Sequence, residues 1–307
     1  MVNVLSVDVE EYFHPSEVQG AINRSQWSTL PSRVESSTQF LLDLFAAHHV
    51  KATFFILGWL AQRYPRLVRD IVAEGHELGC HSFEHKLVYN LTPSEFRADT
   101  LAATKAIEDA CAVTPKVYRA PSYSITASSF WALEILAECG YTHDSSIYPI
   151  FHDRYGVPGF SRFARVIDTS AGPIIEVPPA TVKLSATRVA PVGGGGYLRL
   201  LPYRYTAAGI RTINSVDEKP ACIYMHPWEF DPEQPRLASG VVSRLRTYTG
   251  LRGMKSKLER LLRDFRFAPL TTICPSTVHS ALITSKARSA AAGLSSEALQ
   301  YPGRPIV

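Results

Sequence analysis

No stretch of the chain reaches 18 consecutive apolar residues, so nothing in it reads as a membrane-spanning helix. The N-terminus lacks a basic segment followed by an apolar one. Asn3–Val9 reads instead as a first core strand, and the expectation is a cytoplasmic chain without a cleaved leader. Cysteine is scarce: five residues (Cys80, Cys111, Cys139, Cys222 and Cys274), widely spread and without a C-x-x-C pair. That argues against a disulfide framework or zinc ribbon and fits core thiols in a reducing compartment. Charge of one sign is also lacking. A net charge of +4 gives no electrostatic case for a nucleic-acid partner, and no internal repeat is evident.

What is present is an ordinary globular composition, 46% hydrophobic and 20% charged over 307 residues, compatible with one large α/β domain. Strand-like and helix-like segments alternate through the first two thirds. Asn3–Val9, Ala52–Leu57, Glu77–Cys80, Lys116–Arg119, Tyr141–Ser145, Ile174–Val177 and Ala221–Met225 are apolar or β-branched enough to be strands. Helices are expected from about Pro31 to His48, Trp59 to Glu74, Pro93 to Cys111, Ser128 to Cys139, Tyr203 to Val216 and Lys255 to Phe265. Thr92 and Glu95 offer a capping box to the third of these. Repeated βα units favour a parallel sheet, doubly wound or closed into a barrel. Basic residues gather between Arg244 and Arg266, a stretch that reads as an amphipathic helix with a solvated cationic face and suits a peripheral membrane contact. Residues 276–307 shift to Ser, Ala and Gly and read as a flexible tail to a domain spanning 1–275.

Three groups of residues can carry chemistry. In Ser6-Val7-Asp8-Val9-Glu10-Glu11, strand alternation puts Asp8 and Glu10 on one face, and two such carboxylates need a cation or an arginine between them. In His81-Ser82-Phe83-Glu84-His85 the i, i+4 spacing would bring both imidazoles to one side of a helical turn, able to chelate one metal. His226 ends the apolar strand before Pro227-Trp228-Glu229, and Arg119 stands likewise after its own strand. Each group alone has an ordinary structural explanation. Together they lie just after predicted strands, where barrel active sites are built. Two His plus one carboxylate leave an open position on a catalytic metal, a second carboxylate can serve as base, and a distant His as acid. That is a hydrolytic set.

The ordered series Asp8-x-Glu10, His81-Ser82-x-x-His85, Arg119-x-Pro121-x-Tyr123 and His226 resembles the polysaccharide deacetylases of the NodB-homology group, carbohydrate esterase family 4. Ala52–Phe55 and Gly75–Gly79 match the segments that precede the family's histidine motif, and the likeness covers about residues 2 to 275. His226–Pro235 and Gly194–Tyr203 further resemble the branch associated with exosortase-linked exopolysaccharide loci. The resemblance implies a single catalytic domain folded as a distorted TIM-like (β/α)7 barrel with a divalent metal, usually zinc. It implies Glu10, His81 and His85 as ligands, with Glu11 a runner-up disfavoured because it should point to the other face. Asp8 is then the base, Arg119 its partner, His226 the acid with Asp144 behind it, and the backbone N–H of Tyr123 an oxyanion donor.

The implied substrate is an N-acetylated polysaccharide or a lipid-linked oligosaccharide precursor, met by a cytoplasmic enzyme at the inner membrane face. Tyr12, Phe13, Tyr123, Tyr148 and Trp228 could stack on its sugar rings. Two other readings stay open: an amidohydrolase of small cyclic amides, and a non-catalytic carbohydrate-binding protein on the same fold.

Overall fold

The computed structural model describes residues 1–185 and 188–273, and the expected tail lies outside them, as does Cys274. The chain opens with β1 (Val2–Val9), α1 (Val34–Ala47), β2 (Thr53–Ile56), α2 (Gly58–Arg63), α3 (Pro65–Ala73), β3 (Glu77–Cys80) and α4 (Pro93–Cys111). It continues with β4 (Val117–Tyr118), α5 (Trp131–Glu138), β5 (His143–Asp144), the antiparallel pair β6 (Arg165–Thr169) and β7 (Gly172–Glu176), and the ribbon β8 (Thr181–Lys183) and β9 (Val189–Pro191). The last elements are α6 (Gly195–Leu200), α7 (Tyr203–Ser215), β10 (Cys222–Met225), α8 (Val241–Tyr248), α9 (Met254–Asp264) and β11 (Arg266–Ala268).

Seven strands run parallel in the order β10-β1-β2-β3-β4-β5-β7. The segment that leaves β7 first bonds to β5 (Val177 N–H to Asp144 O, 2.8 Å) and then to β10 (Ala180 N–H to Cys222 O, 2.9 Å). That crossing links the two ends of an otherwise open sheet, as a distorted (β/α)7 barrel requires. Along β1, Leu5, Val7 and Val9 turn outward into the helix-covered core with Phe54, Ile56, Leu41 and Phe45. Ser6 and Asp8 turn inward, as period-two alternation requires.

Differences from the sequence reading have local causes. The helix expected from Trp59 to Glu74 is two, because Pro65 has no N–H to continue the first and starts the second at its N1 position. The basic stretch from Arg244 to Arg266 is likewise not one helix. α8 and α9 are separated at Gly250, whose φ of +83° lies in the left-handed region, and a β-carbon there would meet the Arg199 carbonyl oxygen at 2.5 Å. The capping box on α4 is present, with Glu95 N–H donating to Thr92 Oγ1 and Thr92 N–H donating to Glu95 Oε2.

Candidate active site

The site is built at the C-terminal ends of the parallel strands. β1 ends at Val9, and the chain beyond it keeps Glu10 on the Asp8 side: Glu10 Oε1 lies 3.2 Å from His81 Nε2 and 3.1 Å from His85 Nε2. Glu11 points elsewhere. Its carboxylate accepts the Ser32 hydroxyl and the backbone N–H groups of Arg33 and Val34, so it caps the start of α1 and is not among the metal-facing groups.

The histidine motif is not helical. Ser82 and His85 both have positive φ (66° and 53°), and the backbone of the loop is committed outward. Ser82 O and Phe83 O accept from Gly58 and Trp59, Phe83 N–H donates to Asp99, and Ser82 Oγ accepts from His85 N–H at 3.0 Å. A helical turn would need those same groups. The loop brings the imidazoles together by other means, with ring centroids 5.4 Å apart.

Glu10, His81 and His85 each offer one ligand atom, all within 4.8 Å of one another and all buried. His81 Nδ1 lies 2.7 Å from the Arg119 carbonyl oxygen, which can only accept, so the proton sits on Nδ1. A neutral His81 then presents a lone pair at Nε2 directly to a carboxylate oxygen, an arrangement that needs a proton or a cation between them. His85 Nδ1 is held at 3.0 Å by the Gln19 side-chain amide. Two imidazoles with their outer nitrogens engaged and one carboxylate form a donor set that fits a divalent cation. Burial opposes the charge on Glu10, yet the His85 and His226 charges and the His85 hydrogen bond hold it well below the usual carboxylate range. Trp228 Nε1 approaches its other oxygen at 3.4 Å.

Asp8 pairs with Arg119 (Nη1 to Oδ1, 2.6 Å). The guanidinium is completely buried and fixed on every side, donating also to Ser6 Oγ, Ser145 O and Ser145 Oγ and lying 4.2 Å over the Phe55 ring. Gly79 makes that packing feasible, since a β-carbon there would stand 2.4 Å from the same ring. Tyr123 follows in a tight turn in which Ser122 and Tyr123 take left-handed φ. Its backbone N–H, expected as an oxyanion donor, is bonded to Ala120 O at 3.1 Å, while its buried hydroxyl has no partner among the described residues.

His226 Nε2 lies 3.8 Å from Asp8 Oδ2 and 3.9 Å from Glu10 Oε1. Its Nδ1 is 3.1 Å from Glu229, whose other oxygen takes Arg199 Nε at 2.7 Å. Burial disfavours the imidazolium, but Glu10, the Glu229 hydrogen bond and Asp8 together raise its pKa to about 9. Asp144 is not the group behind His226. It is bonded to Ser146 Oγ and faces Glu176 across the β5–β7 pairing, and burial raises both carboxyls, Glu176 well above its ordinary value because Asp144 also repels its charge. Glu229, Arg199 and Gln19 had no role in the sequence reading. Glu229 was legible as the residue three beyond His226 at a helix-like turn, where a side chain can reach back.

These groups open into a cavity of about 340 Å³ lined by Asp8, Glu10, His85, His226, Trp228 and tyrosines 123, 155, 197 and 224. Of the aromatic residues expected near sugar rings, Tyr123 and Trp228 line it. Tyr12 and Phe13 do not line it but pack with Trp27 in the cluster that also holds Trp228, and Tyr148 is fully buried. The glycine run at 193–196 lets α6 lie against β10: a β-carbon on Gly194, whose φ is +126°, would enter the Tyr224 ring at 2.0 Å.

Residues 25–143 match the family described as polysaccharide deacetylase, and residues 145–275 match a domain of unknown function (DUF3473). A chitooligosaccharide deacetylase of Bradyrhizobium is 38% identical over 101 residues, 33% of this chain and 43% of that protein. A peptidoglycan-N-acetylglucosamine deacetylase of Bacillus cereus is 33% identical over 98 residues, 32% of this chain and 36% of the relative. The match therefore spans about two fifths of the length of these relatives. A solved structure from Mycobacterium smegmatis with a polysaccharide deacetylase assignment shares the fold, with a TM-score of 0.56, 18% identity and coverage of 98% of this chain and 94% of that one. Residues 25–143 are thus similar to the polysaccharide deacetylases, the NodB-homology group of carbohydrate esterase family 4 that the sequence motifs resemble.

Proposed function

We propose that this chain is a metal-dependent hydrolase that removes N-acetyl groups from amino sugars of an exopolysaccharide or its lipid-linked precursor. One observation carries the reading: Asp8, Glu10 and His226 converge at a single point of the cavity, with His226 Nε2 under 4 Å from both carboxylates. The names of the relatives, deacetylases of chitooligosaccharides and of peptidoglycan N-acetylglucosamine, support the substrate class.

Glu10, His81 and His85 would hold the cation, zinc being the simplest choice for two imidazoles and a carboxylate, and when bound it would supply Lewis-acid polarisation of the acetamide carbonyl and of water. Asp8 takes the proton of the attacking water. Arg119 fixes one Asp8 oxygen and leaves the other turned toward His226. His226, cationic at neutral pH in its surroundings, gives a proton to the departing amine, which would otherwise be a poor leaving group. Glu229 holds the ring by Nδ1 so that Nε2 faces the reacting bond, the orienting role that the sequence reading gave to Asp144. Tyr123, Tyr155, Tyr197 and Trp228 offer faces for sugar rings.

The test is acetate release from N-acetylglucosamine oligomers by protein loaded with zinc, cobalt or manganese in turn. Release that depends on metal and disappears in His226→Asn is expected. A metal-loaded protein that binds the oligomers but frees no acetate from any N-acetylated substrate would refute the assignment.

A further inference from the structure

Large hydrophobic side chains are exposed on three segments near the cavity: Phe151 (89% exposed), Leu200, and Val241, Val242 and Leu245 of α8. Contacts through the cavity lining connect these segments. Leu200 lines the cavity, Phe151 adjoins His152, which lines it too, and Arg246 of α8 both lines the cavity and pairs with Asp153 at 3.5 Å. Arg199 donates to the Arg246, Thr247 and Thr249 carbonyl oxygens, fixing α6 to the end of α8.

At 100° per residue, Val241, Leu245 and Val242 fall within an arc of about 100° on α8. Arg244 borders that arc on one side and Arg246 on the other, Thr247 is buried on the opposite side of the helix, and the buried Tyr248 lies beside Val241. Along this segment the charge has a single sign. From Gln234 to Leu258 the sequence holds Arg236, Arg244, Arg246, Arg252, Lys255 and Lys257 and no Asp or Glu. Arg236, Arg244 and Arg252 are exposed and take part in no ion pair among the described residues.

We infer that this face docks on an anionic lipid bilayer, with Val241, Val242, Leu245, Leu200 and Phe151 entering the headgroup region and the arginines meeting lipid phosphates. An apolar stripe flanked by arginines is the arrangement that lies in a membrane interface rather than across it. The unpaired Arg236, Arg244 and Arg252 favour an anionic surface over the simplest alternative occupant, a second copy of the same face, which would bring like charges together. A bilayer on this side would put the cavity mouth at the headgroup level, next to whatever substrate is carried on lipid. The docking rests on the surface alone, so the inference and the deacetylase reading can fail separately.

The experiment is vesicle sedimentation of the full chain, with equimolar phosphatidylglycerol and phosphatidylcholine compared against pure phosphatidylcholine, and acetate release from a soluble oligomer measured alongside. Binding to the anionic vesicles at low salt, and its loss at high salt, is expected. With each basic residue near the surface contributing as a typical interfacial charge, Arg236→Gln, Arg244→Gln and Arg252→Gln together should weaken binding about a hundredfold. Val241→Ser, Val242→Ser and Leu245→Ser together should abolish sedimentation while leaving turnover of the soluble oligomer and the melting temperature unchanged. Wild-type protein that stays in the supernatant overturns the inference, as does serine-variant binding equal to wild type. So does a wild-type dimer that the serine variant dissolves, which would make the face a subunit contact.

Discussion

Two pairs of buried carboxyl groups stand at strand ends of the same barrel, and the chain treats them in opposite ways. Asp8 and Glu10, at the end of β1, are met by Arg119, His81, His85 and His226. Asp144 and Glu176, at the ends of β5 and β7, meet a serine hydroxyl, the Ile147 N–H and each other. The first pair is surrounded by groups that favour charge, and Glu10 is held low. The second is surrounded by groups that do not, and burial together with the Asp144 charge drives Glu176 well above its ordinary value. Burial of an acid is therefore no mark of a reactive site; what compensates it is.

Asp8→Asn is expected to have the largest effect. It keeps the shape and loses the proton acceptor, so turnover should fall by about a thousandfold or more while bound metal, measured by atomic absorption, stays at the wild-type ratio. Near-normal turnover would remove Asp8 from the base position and erase the contrast with Asp144.

Withdrawal of metal comes next. The lone pairs that converge at Glu10 Oε1 and His81 Nε2 leave the apo state poorly compensated. At a hundredfold excess over its dissociation constant, a divalent cation should stabilise the fold by about 2.7 kcal/mol. Chelation should lower the melting temperature correspondingly in wild type and not in Glu10→Gln. An unchanged melting temperature in wild type would mean that the buried cluster holds no cation.

Glu229→Gln should act more mildly. The amide can still reach His226 Nδ1, and Arg199 keeps its carbonyl partners at Arg246, Thr247 and Thr249, so the fold should survive. Loss of the carboxylate should cost about ten- to a hundredfold in kcat with KM little changed, by analogy with other groups that orient a reacting histidine. Asp144→Asn, compared in the same assay, should cost less. The reverse order would return the positioning of His226 to Asp144.

Much of this architecture was readable along the chain. Period-two alternation in β1 separated Val7 and Val9 from Asp8, and the capping box marked the start of α4 to the residue. Asp8, Glu10, His81, His85, Arg119 and His226 were singled out because each lies at or shortly after the end of an apolar strand. What was hidden depended on partners far away in sequence. Glu176 faces Asp144 only through the register of β5 on β7, and Arg199 reaches Glu229 only because α6 packs beside β10. The histidine loop hides its shape for a related reason: the bonds that hold it out of a helix go to Gly58, Trp59 and Asp99. Local spacing cannot report such bonds.

Glu176→Gln should have the smallest effect on catalysis, below about threefold, because glutamine reproduces an uncharged carboxyl and its carbonyl oxygen can still accept from Ile147 N–H. Its signature is in stability. Glu176 is raised in the folded state, so the folded chain keeps a proton that the unfolded chain releases above its ordinary value of about 4.3. Stability from that group is complete below this pH and declines as pH rises through the folded value, by at most about 1.4 kcal/mol per pH unit. The glutamine variant has no such decline. Melting temperatures of the two proteins should therefore separate in favour of Glu176→Gln as pH rises from 5 to 8. A constant difference across that range would mean that Glu176 is ionised in the fold, and that the two carboxyl pairs are less different than their surroundings imply.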